Sequence, residues 1–233
     1  MRRLTTFWRI AAVMAIEAAY MVASRLIVGH FKDPYSLEAE AFRTPLRLLA
    51  AGGYWFLMKE LILSGQPRYS AMKSAPLVLA LVLFLAIPVA IGNYPLPPSA
   101  AVFVAVAALP VGLKEEFLFR GILQNLLVRK FGGWPAVLLT SVLFTGFHVG
   151  VVPETPWSFA EPFLASSIIG LVYVGTGSIF LVVWLHTIYD AVFSFSPFYA
   201  QPLHENWGFA FALPAALLTS LWLVRLRRVQ CAG

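Results

Sequence analysis

Apolar runs of about 20 residues follow one another along nearly the whole chain, and no other feature constrains its fold as strongly. A helix that crosses the roughly 30 Å hydrocarbon core of a bilayer needs such a run, whereas the strands of a membrane barrel are far shorter. Only 12% of the 233 residues are charged, about half the share in a soluble domain. The sequence therefore predicts an all-α membrane protein and excludes an ordinary soluble globular protein.

Eight of these runs fit transmembrane helices, which predicts a polytopic helix bundle forming a single transmembrane domain over residues 1–233. The predicted spans are approximately Phe7–Val28, Pro45–Leu63, Ala75–Ile91, Ala100 into the Val128 region, Trp134–Val149, Phe163–Val174, Ser178–Phe195 and Trp207–Val224. The sixth span is short, and Gly175-Thr176-Gly177 predicts a tight turn into the seventh.

The positive charges alternate between the two sides of the predicted bundle. Basic residues lie near the N-terminus, in every second loop and at the C-terminus, at Arg2, Arg3, Arg9, Arg68, Lys73, Arg129, Lys130, Arg225, Arg227 and Arg228. The other loops carry acidic or uncharged residues, among them Asp33, Glu154, Glu161 and Glu205. The positive-inside rule then places both termini in the cytoplasm. The net charge of +6 thus reports topology and predicts no nucleic-acid partner.

Ionisable residues within predicted spans are the first candidates for chemistry, because they are costly in lipid and face a bundle interior or a wet cavity. The fourth span contains Glu115-Glu116-x-x-x-Arg120. Glu116 and Arg120 are four residues apart, so they share a helix face and can form an ion pair. Glu115 lies on a neighbouring face. Two adjacent glutamates should not both ionise easily at low dielectric, which predicts one carboxylate usable as a general base or acid.

Two histidines lie on later spans. His148 ends the fifth span four residues after Phe144, and His186 precedes Asp190 by four residues in the seventh. The second spacing stacks an imidazole and a carboxylate on one helix face, which would fix the tautomer of the ring. At about 1.5 Å per residue, Glu115, both histidines and Asp190 could share one cavity between the midplane and the cytoplasmic surface.

The ordered set E-E-x-x-x-R, F-x-x-x-H and H-x-x-x-N or D, each on a hydrophobic helix, resembles the CPBP family of intramembrane proteases. This family is also called the Abi or CAAX-protease and bacteriocin-processing family, and it includes the type II CAAX prenyl endopeptidases. The motifs run from Glu115 to Asp190, within a motif-bearing core of about residues 100–195. Their order and spacing are typical of the family.

The resemblance implies an eight-helix fold with a cavity open to the cytoplasm, in a bacterial or archaeal plasma membrane. It implies a membrane-anchored protein or lipidated peptide as substrate. Eukaryotic members trim prenylated CAAX proteins, and bacterial members are assigned to bacteriocin maturation, self-immunity and processing of sorting tags. By analogy, Glu115 and His148 activate a water molecule, while His186 and Asp190 stabilise the oxyanion or orient groups. Glu116 and Arg120 would support them.

The role of residue 190 and the need for a metal stay open at this stage. An ionised Asp190 only accepts hydrogen bonds, unlike the Asn of the prenyl-protein proteases. It could orient His186 or join a metal shell. Glu115, His148, His186 and Asp190 form a set that zinc could use. However, no H-E-x-x-H pair is present in the sequence and a glutamate–histidine mechanism needs no metal, so we expect no cofactor.

Other functions also fit parts of the sequence. A non-enzymatic immunity or scaffold protein could keep the fold but should lose a motif residue, and none is lost apart from the Asp-for-Asn variation. A proton-coupled transporter should contain inverted repeats with helices broken at matched positions, and the sequence shows none. Glu17 and Arg25 of the first span could pair locally or with another helix, and we assign them no chemistry.

Overall fold

The computed structural model describes residues 2–31, 36–65, 98–149 and 156–194. Within these ranges the chain is helical and forms no strand, as the sequence predicts. The elements are α1 Arg2–His30, α2 Leu37–Ile62, α3 Pro98–Glu116, a π-helical segment Phe117–Gln124, α4 Asn125–Phe131, α5 Gly133–His148, α6 Pro156–Thr176 and α7 Ile179–Ser194. The predicted spans Ala75–Ile91 and Trp207–Val224 lie outside the described residues, so the eight-span bundle and the placement of both termini stay predictions.

Local sequence explains where several helices begin and end. The Ser36 hydroxyl accepts a hydrogen bond from the Ala39 amide at 3.2 Å and so caps α2. Gly132, with φ 84°, ends α4, because this backbone region favours glycine. Gly177, with φ 69°, makes the turn between α6 and α7, and its amide donates to the Tyr173 carbonyl at 2.7 Å. The predicted tight turn at this junction is confirmed.

The sixth predicted span was too short. Helix α6 begins at Pro156 instead of Phe163 and continues through Pro162. A proline at the first helical position loses no intrahelical hydrogen bond, so Pro156 can start a helix rather than extend a loop. Glu161, which the charge pattern placed in an outer loop, therefore lies in α6.

Helix α3 lies at the centre of the described bundle and packs against α2 and α7. Helices α5 and α6 form a second packed pair. Gly112 permits the contact between α3 and α7, since a Cβ there would lie 2.8 Å from Thr187 Oγ1 and 3.1 Å from the Val183 carbonyl oxygen. This close approach, one turn before Glu115, brings the paired glutamates to α7.

The helix does not keep α-helical geometry after the paired glutamates. From Phe117 to Gln124 it is π-helical, and it returns to α-helical geometry at Asn125. The i→i+5 hydrogen bonds of such a segment widen the helical turn, and π segments often occur at functional sites. Arg120 lies in the wide segment, and Glu116 lies directly before it.

The polarity of the described helices is inverted relative to a soluble protein. Large apolar side chains point outward, with Phe56 84% exposed, and others include Trp8, Leu26, Leu49 and Trp184. Fully buried side chains include four charged ones, Glu17, Lys114, Glu116 and Arg120. Such charges are almost never fully buried in soluble proteins unless paired. An apolar exterior around paired charges fits a bundle that faces lipid.

Two of the described helical stretches are long and apolar enough to cross a membrane, judged by length and composition. They are Thr6–His30 and Phe159–Thr176, and Ile179–Val192 is apolar but shorter. Helices α5 and α7 have 16 residues each, about 24 Å at 1.5 Å per residue, which is less than the roughly 30 Å hydrocarbon core. The apolar stretches fit membrane insertion, and the number of spans stays a prediction.

Candidate active site

Three consecutive charged residues at the end of α3 point in different directions. Successive residues on an α-helix are about 100° apart around its axis, so three neighbours cannot share a face. Lys114 contacts Glu17 on α1, Glu115 faces His148 on α5, and Glu116 contacts His186 on α7. The Lys-Glu-Glu sequence therefore connects α3 to three different helices.

Glu116 and Arg120 form the ion pair that their spacing predicts. Arg120 Nε lies 3.2 Å from Glu116 Oε2, and both side chains are fully buried. Arg120 Nη2 also donates to the Ser166 carbonyl at 3.1 Å and to the Ser166 hydroxyl oxygen at 3.0 Å. The guanidinium carbon lies 5.0 Å from the centre of the Phe144 ring. Arg120 thus connects α3, α5 and α6.

Glu116 also contacts the second histidine, which its position in the sequence does not indicate. His186 Nδ1 lies 2.6 Å from Glu116 Oε1. A carboxylate only accepts hydrogen bonds, so Nδ1 carries the proton and donates it. The remaining ring nitrogen, Nε2, is then directed toward Glu115, with 4.0 Å between Nε2 and Glu115 Oε2. Glu116 therefore orients the His186 ring, a role that the four-residue spacing predicted for Asp190.

Glu115 lies between the two histidines. Its Oε2 atom is 4.0 Å from His148 Nε2 and 4.0 Å from His186 Nε2. This oxygen is buried and accepts no hydrogen bond from the part of the chain that the structure describes. The side chain is 14% exposed, and that of His148 is 27% exposed. The structure brings together the residues that the sequence predicted would share a cavity.

His148 is held in place by its own helix. Its Nδ1 atom lies 2.8 Å from the Phe144 carbonyl oxygen, which can only accept, so Nδ1 donates and Nε2 faces Glu115. The Phe144 ring lies 4.5 Å from the His148 ring and 6.1 Å from the His186 ring, measured between centres. Phe144 thus lies next to both imidazole rings and to the Arg120 guanidinium.

Asp190 lies at the more accessible edge of the cluster. Its Oδ2 atom is 3.4 Å from His186 Nε2, and its side chain is 31% exposed. The predicted stacking of imidazole and carboxylate on one face of α7 is confirmed. Asp190 approaches the same nitrogen that faces Glu115, whereas the opposite nitrogen is bound by Glu116.

One carboxylate near the cluster, Glu161, does not lie in the outer loop that the sequence predicts. Glu161 lies in the second turn of α6, where its Oε1 accepts a hydrogen bond from the Tyr189 hydroxyl at 2.5 Å. It is close enough to His148, His186 and Asp190 to interact electrostatically with them. The sequence placed Glu161 in an outer loop because the sixth hydrophobic run was taken to begin at Phe163. No motif includes Glu161, so only an estimate of where α6 begins could have identified it.

The side-chain types of the cluster are ones that zinc binds, and zinc needs three or four donors about 2.0–2.3 Å from one point. Over residues 2–31, 36–65, 98–149 and 156–194, no group of three His, Cys, Asp or Glu side chains is arranged to hold a metal ion. The Nδ1 atoms of both histidines face protein acceptors, and their Nε2 atoms lie within 4.0 Å of a carboxylate oxygen. The absence of a cofactor stays a prediction.

The comparison with known families agrees with this geometry. Residues 97–192 match the family model described as "Type II CAAX prenyl endopeptidase Rce1-like". The matched segment contains α3 and every motif residue from Glu115 to Asp190. No curated protein matches the chain. The Rce1-like family consists of membrane-integral proteases. Over the segment that carries the three motifs, the resemblance to the CPBP family of CAAX proteases is confirmed.

Proposed function

We propose that this protein is a glutamate–histidine intramembrane endopeptidase that cleaves a membrane-tethered or lipidated protein or peptide. The observation that carries the proposal is the position of Glu115 Oε2, a buried acceptor 4.0 Å from the Nε2 atoms of both His148 and His186. Such an arrangement suits the activation of water next to a group that stabilises negative charge. The family match over residues 97–192 supports protease activity in general.

The spacing of Glu115 and His148 leaves room for the nucleophile. A water oxygen at hydrogen-bond lengths of about 2.8 Å can contact two atoms that are 4.0 Å apart. With Nδ1 of His148 donating to the Phe144 carbonyl, the neutral ring presents an acceptor at Nε2. Water can then donate one hydrogen bond to Glu115 and one to His148, so either group can take a proton as the oxygen attacks.

The reaction follows from these positions. The water oxygen forms a bond to the scissile carbonyl carbon, and the proton that it loses passes to the Glu115–His148 pair. The tetrahedral intermediate then collapses, the C–N bond breaks, and the same pair returns the proton to the leaving amine. Atoms balance with water as the only co-reactant. Water is consumed, and two shorter peptide products are released.

His186 and Asp190 complete the opposite side of the reaction centre. His186 can donate from Nε2 to the oxyanion only if the ring carries both protons, because Nδ1 already donates to Glu116. Glu116 at 2.6 Å and Asp190 at 3.4 Å then provide the counter-charge for that imidazolium. Asp190 therefore serves to orient and neutralise His186, a role that does not require the donor atom of an asparagine.

The family match and the outer surface of the helices support this substrate class. Apolar side chains such as Phe56 and Leu49 point outward, so a substrate would approach through lipid or from its surface. A protein or peptide held there by a membrane anchor or a prenyl group meets this requirement. The family description names prenylated CAAX sequences, and a farnesylated CAAX peptide is therefore the first probe.

The test uses full-length protein in proteoliposomes. The probe is a farnesylated, internally quenched CAAX peptide, and a second arm follows candidate membrane-anchored proteins from the same cell by mass spectrometry. We expect cleavage by the parent protein, and none by inserted Glu115→Ala or His148→Ala variants. Arg25→Gln, an exposed change on α1, is the control and should cleave normally. Normal processing by both site variants would show that the catalytic assignment is wrong.

A further inference from the structure

A second buried charge cluster lies directly behind the candidate active site and is not used by the proposed reaction. Lys114 Nζ lies 2.7 Å from Glu17 Oε1, and each side chain is 2% exposed. The Tyr54 hydroxyl, also fully buried, donates to the other oxygen of Glu17. This cluster joins α1, α2 and α3 at the residue that precedes Glu115.

The surroundings of the Lys114 ammonium contain one carboxylate in contact and two aromatic faces. Its Nζ lies 3.9 Å from the centre of the Tyr20 ring and 5.4 Å from the centre of the Phe147 ring. Phe147 immediately precedes His148, and Lys114 immediately precedes Glu115, so the cation contacts the sequence neighbour of one residue proposed to activate water and belongs to that of the other. Lys114 and Glu115 are also near enough to interact electrostatically.

A buried ammonium that loses its carboxylate is very costly at low dielectric, so it gains another partner or gives up its proton. The flexible stem of lysine lets the charge turn toward the next available partner. For Lys114 that partner is Glu115, whose Oε2 accepts no hydrogen bond from the described residues. An ion pair between Lys114 and Glu115 would occupy the proposed base.

We propose that Glu17 is a positioning residue: its carboxylate holds the Lys114 ammonium against α1 and thereby keeps this cation from pairing with Glu115. The expected effect on kcat rests on the proposed peptidase function, whereas the pairing of Lys114 with Glu17 or Glu115 does not. Glu17 lies outside the matched residues 97–192, so this control of the site comes from α1 and not from the three motifs.

The kinetic arm compares Glu17→Gln, Lys114→Met and the double variant, with the farnesylated quenched peptide as probe. Glu17→Gln keeps an acceptor for Tyr54 but frees the cation, so kcat should fall about tenfold or more while KM changes little. Lys114→Met and the double variant lack the cation and should keep kcat near the parent value. A low kcat in Lys114→Met, or no recovery in the double variant, would overturn the proposal.

A second arm needs no activity. Thermal unfolding midpoints are measured for Glu17→Gln, Glu115→Gln and their combination, first with Lys114 present and then in the Lys114→Met background. If Lys114 turns to Glu115 when Glu17 is neutral, the unfolding midpoint of the combined variant falls by more than the sum of the two single decreases. In the Lys114→Met background this extra decrease should disappear. Additive losses with Lys114 present would contradict the proposal.

The two arms separate the possible failures. A parent protein that cleaves nothing would refute the peptidase function on this probe, while the unfolding cycle would still decide the pairing. If Glu17→Gln does not yield folded protein, the double variant remains decisive, since it carries neither buried charge and the proposal requires it to keep the parent kcat. Arg25→Gln on the same helix serves as the control for charge removal at an exposed position.

Discussion

The two glutamates of the E-E-x-x-x-R motif are neighbours in sequence but have opposite surroundings. Glu116 is fully buried, with His186 Nδ1 at 2.6 Å and Arg120 Nε at 3.2 Å. Glu115 is 14% exposed, and its nearest histidine nitrogens are 4.0 Å away. Each oxygen of Glu116 thus has an ionic partner within 3.2 Å, whereas Glu115 has no histidine nitrogen closer than 4.0 Å and is partly exposed. This difference supports the proposal that Glu116 holds the site together and Glu115 performs the chemistry.

Arg120→Met should cause the largest loss of stability, because it disrupts the fully buried ion pair of Glu116 and Arg120. It leaves the Glu116 carboxylate buried without its arginine, which costs about 3–5 kcal/mol when one partner of a buried ion pair is removed. The free energy of unfolding, measured by SDS titration in mixed micelles, should fall by that amount. Arg25→Gln, on the exposed face of α1, should change it by less than about 0.5 kcal/mol. A small loss in Arg120→Met would mean that Glu116 does not depend on its arginine.

Gly112→Ala should cause an intermediate loss of stability. It moves α3, which carries the two glutamates, away from α7, which carries His186 and Asp190. The new Cβ would lie 2.8 Å from Thr187 Oγ1 and 3.1 Å from the Val183 carbonyl oxygen, so α3 and α7 must move apart. Overpacking of this kind costs about 1–3 kcal/mol. We expect lower stability and weaker cleavage together, since His186 moves away from both glutamates.

The matched control for this change is Gly52→Ala. Position 52 is an exposed helical glycine in α2, and a Cβ there meets nothing within 4 Å. Alanine is the better helix former by about 0.5–1 kcal/mol, so this variant should be neutral or slightly more stable. Equal losses in both variants would show that close packing of α3 on α7 is not the cause.

Ser166→Ala should have the smallest effect. It removes the hydroxyl that accepts from Arg120 at 3.0 Å but leaves the Ser166 carbonyl at 3.1 Å in place. The loss of one hydrogen bond of two should cost about 1 kcal/mol. Differential scanning of the unfolding temperature would detect this loss. A loss of stability as large as that of Arg120→Met would mean that the Ser166 hydroxyl provides most of the stabilisation of Arg120.

The sequence predicted contacts within one helix and the proximity of the four site residues, but it did not predict which side chain on another helix each residue contacts. The four-residue spacings gave the Glu116–Arg120 pair and the approach of Asp190 to His186, and both are confirmed. The hydrophobic runs predicted the all-α fold class, which is confirmed for the described residues. The spacing within a helix does not determine which neighbouring helix a side chain meets, so the contact of Glu116 with His186 was missed.

Two further features had no signal in a single sequence. The π-helical segment Phe117–Gln124 has an ordinary apolar composition, because the widened turn is a property of its packing. The partner of Lys114 could not be identified either, since Glu17 lies 97 residues away in the chain. Glu161 was missed for a different reason, because the sixth hydrophobic run was taken to begin at Phe163 and α6 begins at Pro156.

The most direct test of the account compares Glu115→Gln with Glu116→Gln, measuring kcat on the farnesylated peptide and the unfolding temperature of the same preparations. Glu115→Gln should lower kcat by about 10²- to 10⁴-fold, as for loss of a general base, and leave the unfolding temperature nearly unchanged. The main effect of Glu116→Gln should be a lower unfolding temperature, because the substitution weakens a fully buried ion pair. Parent-like cleavage by a stably folded Glu115→Gln variant would contradict the central claim.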